Sequence, residues 1–464
     1  MKLALLIPDG VGVRNFLLGS FLRLANEQTG CQILHAIPEH QLTAYQQTSG
    51  AHVRWDRLLP YQETPASIVL RYALGYAHMH WADTLSMRYI RQQPITGSWR
   101  RRTVQHTARL AGRAAASPAG IQLLDRWHCR AVAQLPEVAH YRRLFAETKP
   151  DVVFCSHQRP PVILPVTLAA RSLGIPTATF IFSWDNLTSK GRIAAPFDHF
   201  FVWSELMRDE LLRFYPDVTP ERVHVVGTPQ FDPYAAAELQ WTRAEFFARI
   251  GADPARPLLC YSGGDTGTAP EDQHHLRILL EQIRSGQIKG NPQVLVRPAP
   301  VDDGKRYDAV RRAFPELIFA QPAWVHAKPG DWASVLPTAE DIQFLANLTR
   351  HADVNVNLAS TMTLDFAIHD RPVVNVAFDV ADPPIFGKPL WEYYYRFDHY
   401  RRVVEIGAPR FARTPDELAA HVNAYLENPA LERDQRRQLV ELQVALPIGN
   451  ASQKIMETLA QISR

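Results

Sequence analysis

Three side chains in this sequence stand where a proton could be taken from a hydroxyl: Asp9, His157 and Asp185. Each follows a short apolar run. Asp9 comes after Leu3-Ala4-Leu5-Leu6-Ile7-Pro8 and is flanked by Gly10 and Gly12; His157 comes after the run ending at Cys155, with Arg159 nearby. Asp185 lies in Ser183-Trp184-Asp185-Asn186-Leu187-Thr188-Ser189-Lys190-Gly191. Histidine and carboxylates are common general bases toward an attacking hydroxyl. Around them Gly10, Gly12, Arg14, Trp184 and Asn186 are candidates for holding the acceptor that carries the hydroxyl. Blander uses stay open: a lone histidine often serves as a hydrogen-bonded structural residue, and Asp185 and Asn186 could bond their own backbone in a turn.

A different chemistry is suggested between Asp353 and Val376. Residues 354–357 read as a strand, 358–360 as a small polar loop, 361–369 as a helix and 372–376 as another strand. Ser360 and Thr361 then fall at a helix start, where unpaired N–H groups and the helix dipole favour an anion such as a diphosphate. Asp365 falls one turn deeper on the same face, where a carboxylate can accept hydrogen bonds from ribose hydroxyls. Simple capping by Ser360 and Asp365 would use the same residues. The strand 257–262 runs into Gly263-Gly264-Asp265-Thr266-Gly267, which lets backbone come close to a phosphate or makes a plain tight turn. Arg297, in Val294-Leu295-Val296-Arg297-Pro298-Ala299-Pro300, is a candidate for a phosphate or for a structural salt bridge.

Ser360-Thr361 followed by Asp365 and Ala367, and then by Arg371-Pro372-Val373, resembles the donor-binding segment of GT-B glycosyltransferases. The resemblance implies that Ser360 and Thr361 hold the donor diphosphate and that Asp365 holds the ribose, one methylene shorter than the glutamate more usual there. Arg297-Pro298 is similar to the Arg-Pro-His-Pro turn of bacterial surface-carbohydrate transferases, CDP-glycerol glycerophosphotransferase relatives included, but Ala299 replaces the histidine. Residues 183–188 resemble a stretch of bacterial polysaccharide-locus transferases. What the resemblance implies is an α/β, GT-B chain of two Rossmann-like doubly wound domains facing a central cleft. Its activity would be glycosyl transfer from a nucleotide-activated donor, UDP-type, to a cell-surface polysaccharide or glycolipid acceptor. Gly263, Gly264, Thr266 and Arg297 would join Ser360, Thr361 and Asp365 at the donor. No cofactor beyond that co-substrate is expected, and no metal, since no Asp-x-Asp motif occurs. Within the same fold the alternatives are a polyol-phosphate transferase or a UDP-GlcNAc 2-epimerase-like enzyme; from another class, a non-catalytic nucleotide-sugar-binding scaffold.

The elements that would carry these residues alternate strand and helix, which predicts parallel sheets with ligand loops at the strands' carboxyl ends. Strands are expected at 3–7, 151–155, 177–181, 199–202 and 223–226, with a helix over 14–27 and a helical insertion at about 66–148. The domains are placed at 1–240 (acceptor) and 241–464 (donor), with a hinge near 232–256. Helical segments starting near 415, 431 and 451 close the chain, the last ones packing back toward the N-terminal domain.

Length supports two cores: 464 residues exceed one ordinary domain. Apolar residues make up 46% and charged residues 21%, with a net charge of +3, too mild to indicate nucleic acid. The four cysteines lie far apart with no CxxC pair, which suggests reduced thiols. The first apolar run is too short for a signal-peptide core and no stretch is long enough to span a membrane, so a cytoplasmic location is expected. Between Arg88 and Arg113 there are seven arginines and no acid, with Ile95, Trp99 and Leu110 interleaved. Such a segment suits peripheral contact with the inner face of a membrane or with a lipid-linked acceptor, and equally a solvated basic face.

Overall fold

A computed structural model of the chain describes residues 1–48, 53–326 and 335–464. The chain forms two compact units, Met1–Asp232 with Gln443–Arg464, and Pro233–Leu442. The second unit therefore begins at Pro233, eight residues before the boundary expected at 240/241. The last helix, Ala451–Ile462, belongs to the first unit.

The first unit is built on seven parallel strands: β1 (Lys2–Ile7), β2 (Gly30–His35), β3 (Arg54–Arg57), β4 (Val152–Cys155), β5 (Thr177–Phe180), β6 (His199–Val202) and β7 (Val223–Val225). They lie in the order β3-β2-β1-β4-β5-β6-β7. β1 is buried from Leu3 to Ile7, as expected for a central parallel strand covered on both faces. Between β3 and β4 run five helices, Pro65–Ala82, Leu85–Gln92, Trp99–Ala114, Pro118–Ala133 and Pro136–Thr148. Pro118 and Pro136 each occupy a first helical position, where the missing N–H is harmless. The helix expected over 14–27 is instead a short helix Gly10–Gly12, a π-helical turn Val13–Leu17 and a separate helix Ser20–Gln28.

The second unit holds β8 (Leu258–Ser262), β9 (Gln293–Arg297), β10 (Ile318–Phe319), a small antiparallel pair β11 (Val325–His326) and β12 (Val335–Leu336), then β13 (Val354–Asn357), β14 (Val373–Val376) and β15 (Arg410–Ala412). Its main sheet is parallel, ordered β10-β9-β8-β13-β14-β15. Alternate residues feed opposite faces. Leu259, Tyr261, Val354 and Val356 join one apolar cluster with Leu276, Leu279 and Leu418. Leu258 and Cys260 join another with Phe246, Leu348 and Phe366. Both sheets are thus doubly wound, with helices on each face.

Candidate active site

In each sheet one adjacent pair of strands marks the point from which the chain winds outward in opposite directions: β1 and β4 in the first unit, β8 and β13 in the second. Loops at the carboxyl ends of such a pair leave a crevice, the usual ligand position of open parallel sheets.

At the first of these points Asp9 and His157 meet. The Asp9 carboxylate lies 2.6 Å from His157 Nδ1 through its Oδ2, and its Oδ1 accepts the N–H of Gly12 at 3.3 Å, capping the short helix. An ionised carboxylate only accepts, so Nδ1 carries the proton and the basic lone pair is on Nε2. His157 Nε2 is buried with no hydrogen-bond partner among the described residues. The His157 ring lies 5.1 Å from that of Phe182, and the exposed Arg159 lies within electrostatic reach of Asp9 and Asp185. Gly12 makes the approach of the two loops possible, since a Cβ there would stand 2.2 Å from Ser156 Oγ. Ser156 Oγ donates to Leu6 O at 2.8 Å, locking the loop after β4 onto β1. An imidazole oriented by a carboxylate, with its second nitrogen unengaged, is the arrangement of a general base.

The other residues expected at this end divide differently. Asp185 accepts Ser183 Oγ at 2.6 Å, Asn186 Nδ2 at 3.1 Å and Ser189 Oγ at 2.5 Å, with Lys190 Nζ at 3.9 Å. Its lone pairs are engaged by its own loop, the turn-forming alternative, so the structure sets Asp185 apart from the Asp9–His157 pair. Asn186 is tied to Gln158, whose amide donates to Asn186 Oδ1 at 2.8 Å while its carbonyl takes Phe182 N–H at 3.1 Å. Trp184 is buried at 3% exposure and so contributes packing to the loop. Gly10 is buried in the capped turn, and Arg14 is half-buried in the π-helical turn. Gln158 is an unanticipated member; its position one residue after His157 was the available signal.

At the second point, the loop after β13 holds Ala359 at φ +43°, a left-handed conformation that a non-glycine residue adopts only when its surroundings impose it. A buried polar network imposes it. Asn357 Oδ1 accepts Ser360 N–H at 3.1 Å and Asn375 Nδ2 at 3.0 Å, while Asn357 Nδ2 donates to Asn355 Oδ1 at 2.6 Å. Asn355 Nδ2 reaches Ser262 Oγ at 2.7 Å, and Tyr400 O–H donates to Asn375 Oδ1 at 2.7 Å. Ser360 Oγ accepts Met362 N–H at 3.2 Å, and Thr361 is the residue before the seven-residue helix Met362–Ile368. Asp365 is buried at 2% exposure, and the Tyr234 hydroxyl donates to it. One oxygen of the Asp365 carboxylate, Oδ1, is thus already engaged by a hydroxyl of its own unit.

The glycine-rich loop is shaped from beneath. A Cβ on Gly263 would lie 2.4 Å from Tyr307 Oη, and one on Gly264 2.7 Å from Ala269 Cβ. These glycines are required by the protein's own packing. Asp265 Oδ1 accepts Gly267 and Thr268 N–H at 2.9 and 3.0 Å, leaving Thr266 exposed at the tip. Arg297 is engaged within its own unit: its Nη2 lies 2.9 and 2.8 Å from the two Asp341 oxygens in a buried pair. The salt-bridge reading of Arg297 is the one the structure realises.

Asp272 holds that loop, accepting Gly264 N–H at 2.6 Å and Tyr261 O–H at 2.9 Å, with Arg306 Nη2 3.5 Å away. Burial raises its carboxyl to about 6, against the opposing pull of Arg306 and these donors. The folded value lies above the unfolded one, so the stability it brings is complete below pH 4 and is lost as pH rises through 6. Two pH units correspond to about 3 kcal/mol. Asp272→Asn should remove that loss, read as urea-unfolding free energies between pH 4 and 7; an unaltered pH slope rejects this role.

No family model and no curated protein matches this chain. Solved structures do. UDP-GlcNAc 2-epimerase from Neisseria meningitidis, bound to UDP-GlcNAc, superposes with TM-score 0.53 at 11% identity, covering 99% of this chain and 100% of its own. The UDP-GlcNAc 2-epimerase of Methanocaldococcus jannaschii gives TM-score 0.53 at 12% identity, with 99% and 100% covered. A glycosyltransferase of Rickettsia africae gives 0.52 at 9%, with 99% and 98% covered. The fold is GT-B-like. Identities this low establish the architecture of this GT-B-like chain and leave its chemistry to its own residues.

Proposed function

We propose that this GT-B-like chain is an enzyme acting on a nucleotide sugar of UDP type, with His157 as the base and Asp9 as the residue that orients it. The observation that carries the reading is the Asp9–His157 pair at the β1/β4 switch point, with Nε2 unengaged. In this reading Arg159 supplies positive charge beside the base within the first unit; within the second unit the loop 357–361 and Thr266 are the candidates for a diphosphate, while Asp365 and Arg297 act structurally.

Two fates of the sugar are open to such a site. Inversion at carbon 2 is supported by the epimerases among the structural neighbours. Transfer to an acceptor hydroxyl, in surface-polysaccharide or glycolipid assembly, is supported by the transferase neighbour and by a base suited to an O–H proton. One experiment separates them. Purified protein is incubated with UDP-GlcNAc in deuterium oxide and followed by proton NMR. Epimerisation must break and remake the bond between carbon 2 and hydrogen, so the epimer appears carrying deuterium. A transferase releases UDP and free sugar slowly when water is the acceptor, releases UDP faster when a hydroxyl acceptor takes the sugar, and leaves carbon 2 protonated. Intact UDP-GlcNAc, repeated across GDP-, CDP- and dTDP-sugars, would reject the enzyme reading in favour of a binding scaffold.

A further inference from the structure

The helix Trp99–Ala114 is turned inside out compared with an ordinary surface helix. Its buried residues are Ala108 and Gly112, and a Cβ on Gly112 would lie 2.6 Å from Ala73 O of the neighbouring helix Pro65–Ala82. The large apolar residues face outward: Trp99 is 67% exposed and Leu110 71%. Eleven positions apart, these two fall within about 20° of one another around the helix, three turns apart. His106 and Thr103 lie between them and Arg102 and Arg113 alongside, all exposed. Arg100, Arg101, Arg102 and Arg113 make no ion pair among the described residues, whereas Arg88 and Arg91 are both paired with Asp83 at 2.6 Å.

We infer that this helix lies flat on an anionic phospholipid surface, with Trp99 and Leu110 at the headgroup boundary and the free arginines on lipid phosphates. Charge complementarity selects that occupant: Arg102 and Arg113 flank Trp99 and Leu110 without an ion pair, Arg100 and Arg101 add unpaired positive charge in the first turn, and the helix carries no acid; aromatic and leucine side chains flanked by arginine are the composition of an interfacial helix. No described helix is long and apolar enough to cross a membrane, so the contact is peripheral. The insertion that carries this helix is also joined to the loop 183–191. Thr84 and Ser86, which open the helix Leu85–Gln92, donate from their hydroxyls to Thr188 O at 2.5 and 2.7 Å, and Thr188 belongs to the loop that Asp185 organises. A bilayer bound here lies on the same insertion that braces that loop, which suits a lipid-carried acceptor.

Co-sedimentation of the full chain with vesicles tests this. Binding is expected to vesicles of phosphatidylcholine with phosphatidylglycerol, falling steeply with salt and absent with phosphatidylcholine alone. Arg102→Gln with Arg113→Gln should weaken it about 25-fold, from roughly a fivefold loss for each arginine. Trp99→Ala with Leu110→Ala should weaken it at least as much, and the exposed positions leave the melting temperature in place. Fluorescence of Trp99 should be quenched by brominated lipid, with the loss of that quenching in Trp99→Phe as its control. Equal binding to both vesicle types, binding indifferent to all four substitutions, or retention by single-stranded DNA in place of vesicles would each overturn the inference.

Discussion

Replacing His157 with alanine is expected to lower kcat for turnover of the nucleotide sugar by two to four orders of magnitude, the usual contribution of a positioned general base. That corresponds to about 3–5 kcal/mol of barrier. Asp9→Asn should come close to the same loss by a different route. An amide can donate as well as accept, so Nδ1 is no longer held as the protonated nitrogen and Nε2 ceases to be reliably basic. The affinity for intact nucleotide sugar, measured by calorimetry, should stay within about threefold, because neither side chain is assigned to the diphosphate. Steady-state kinetics on both variants decide the matter. A kcat within threefold of the parent for His157→Ala, in a protein that melts normally, would remove the base from the mechanism. A loss confined to Asp9→Asn would make the pair structural, since Asp9 also caps the helix at Gly10–Gly12.

Arg297→Ala should destabilise the second unit by about 3–5 kcal/mol, since it leaves a buried carboxylate without its counter-ion. Asp341 shows why the pair matters. Burial alone would raise its carboxyl, but Arg297 together with the N–H groups of Ala323 and Trp324 holds it below the usual range. A depressed folded value means that the pair's contribution is present at neutral pH and is lost as pH falls below about 4. The measurement is urea unfolding at pH 7 and pH 3: the gap between parent and variant should narrow on acidification. A stable Arg297→Ala protein with weakened nucleotide binding would reverse the assignment and return Arg297 to the donor.

The sheet strands around the candidate sites were legible because their apolar runs are uninterrupted: β1, β4 and β8 fall within a residue or two of where the sequence puts them. β2 and β3 were not. Gln32 and His35 break the run in β2, and β3 is the edge strand Arg-Trp-Asp-Arg, half-exposed and held by Gln32 Nε2 on Asp56 at 2.7 Å. Those residues make sense only once the strands are side by side. The break in the helix expected over 14–27 was equally invisible, because a π-helical turn shifts the apolar register without removing apolar residues. At the site, Asp9 and His157 could be nominated separately, each by its place at a strand end. Their pairing could not, since 148 positions separate them and only the adjacency of β1 and β4 closes the gap. The asparagines of β13 carried a signal that periodicity alone does not use. Two of them at alternate positions in a buried strand require hydrogen-bond partners, and they find them in Ser262, Asn375 and Thr363.

The first unit recruits its closing helix from the far end of the chain. Asp232 accepts the N–H groups of Ala451 and Ser452 at 3.0 and 2.9 Å, fixing the start of Ala451–Ile462, and Ala445 N–H reaches Trp203 O at 2.8 Å. During synthesis, then, the seven-stranded sheet emerges first but is finished last. At about 5–20 residues per second the ribosome takes roughly ten to forty seconds to deliver the intervening second unit. Throughout that interval the surface that the last helix covers stands open on the nascent chain.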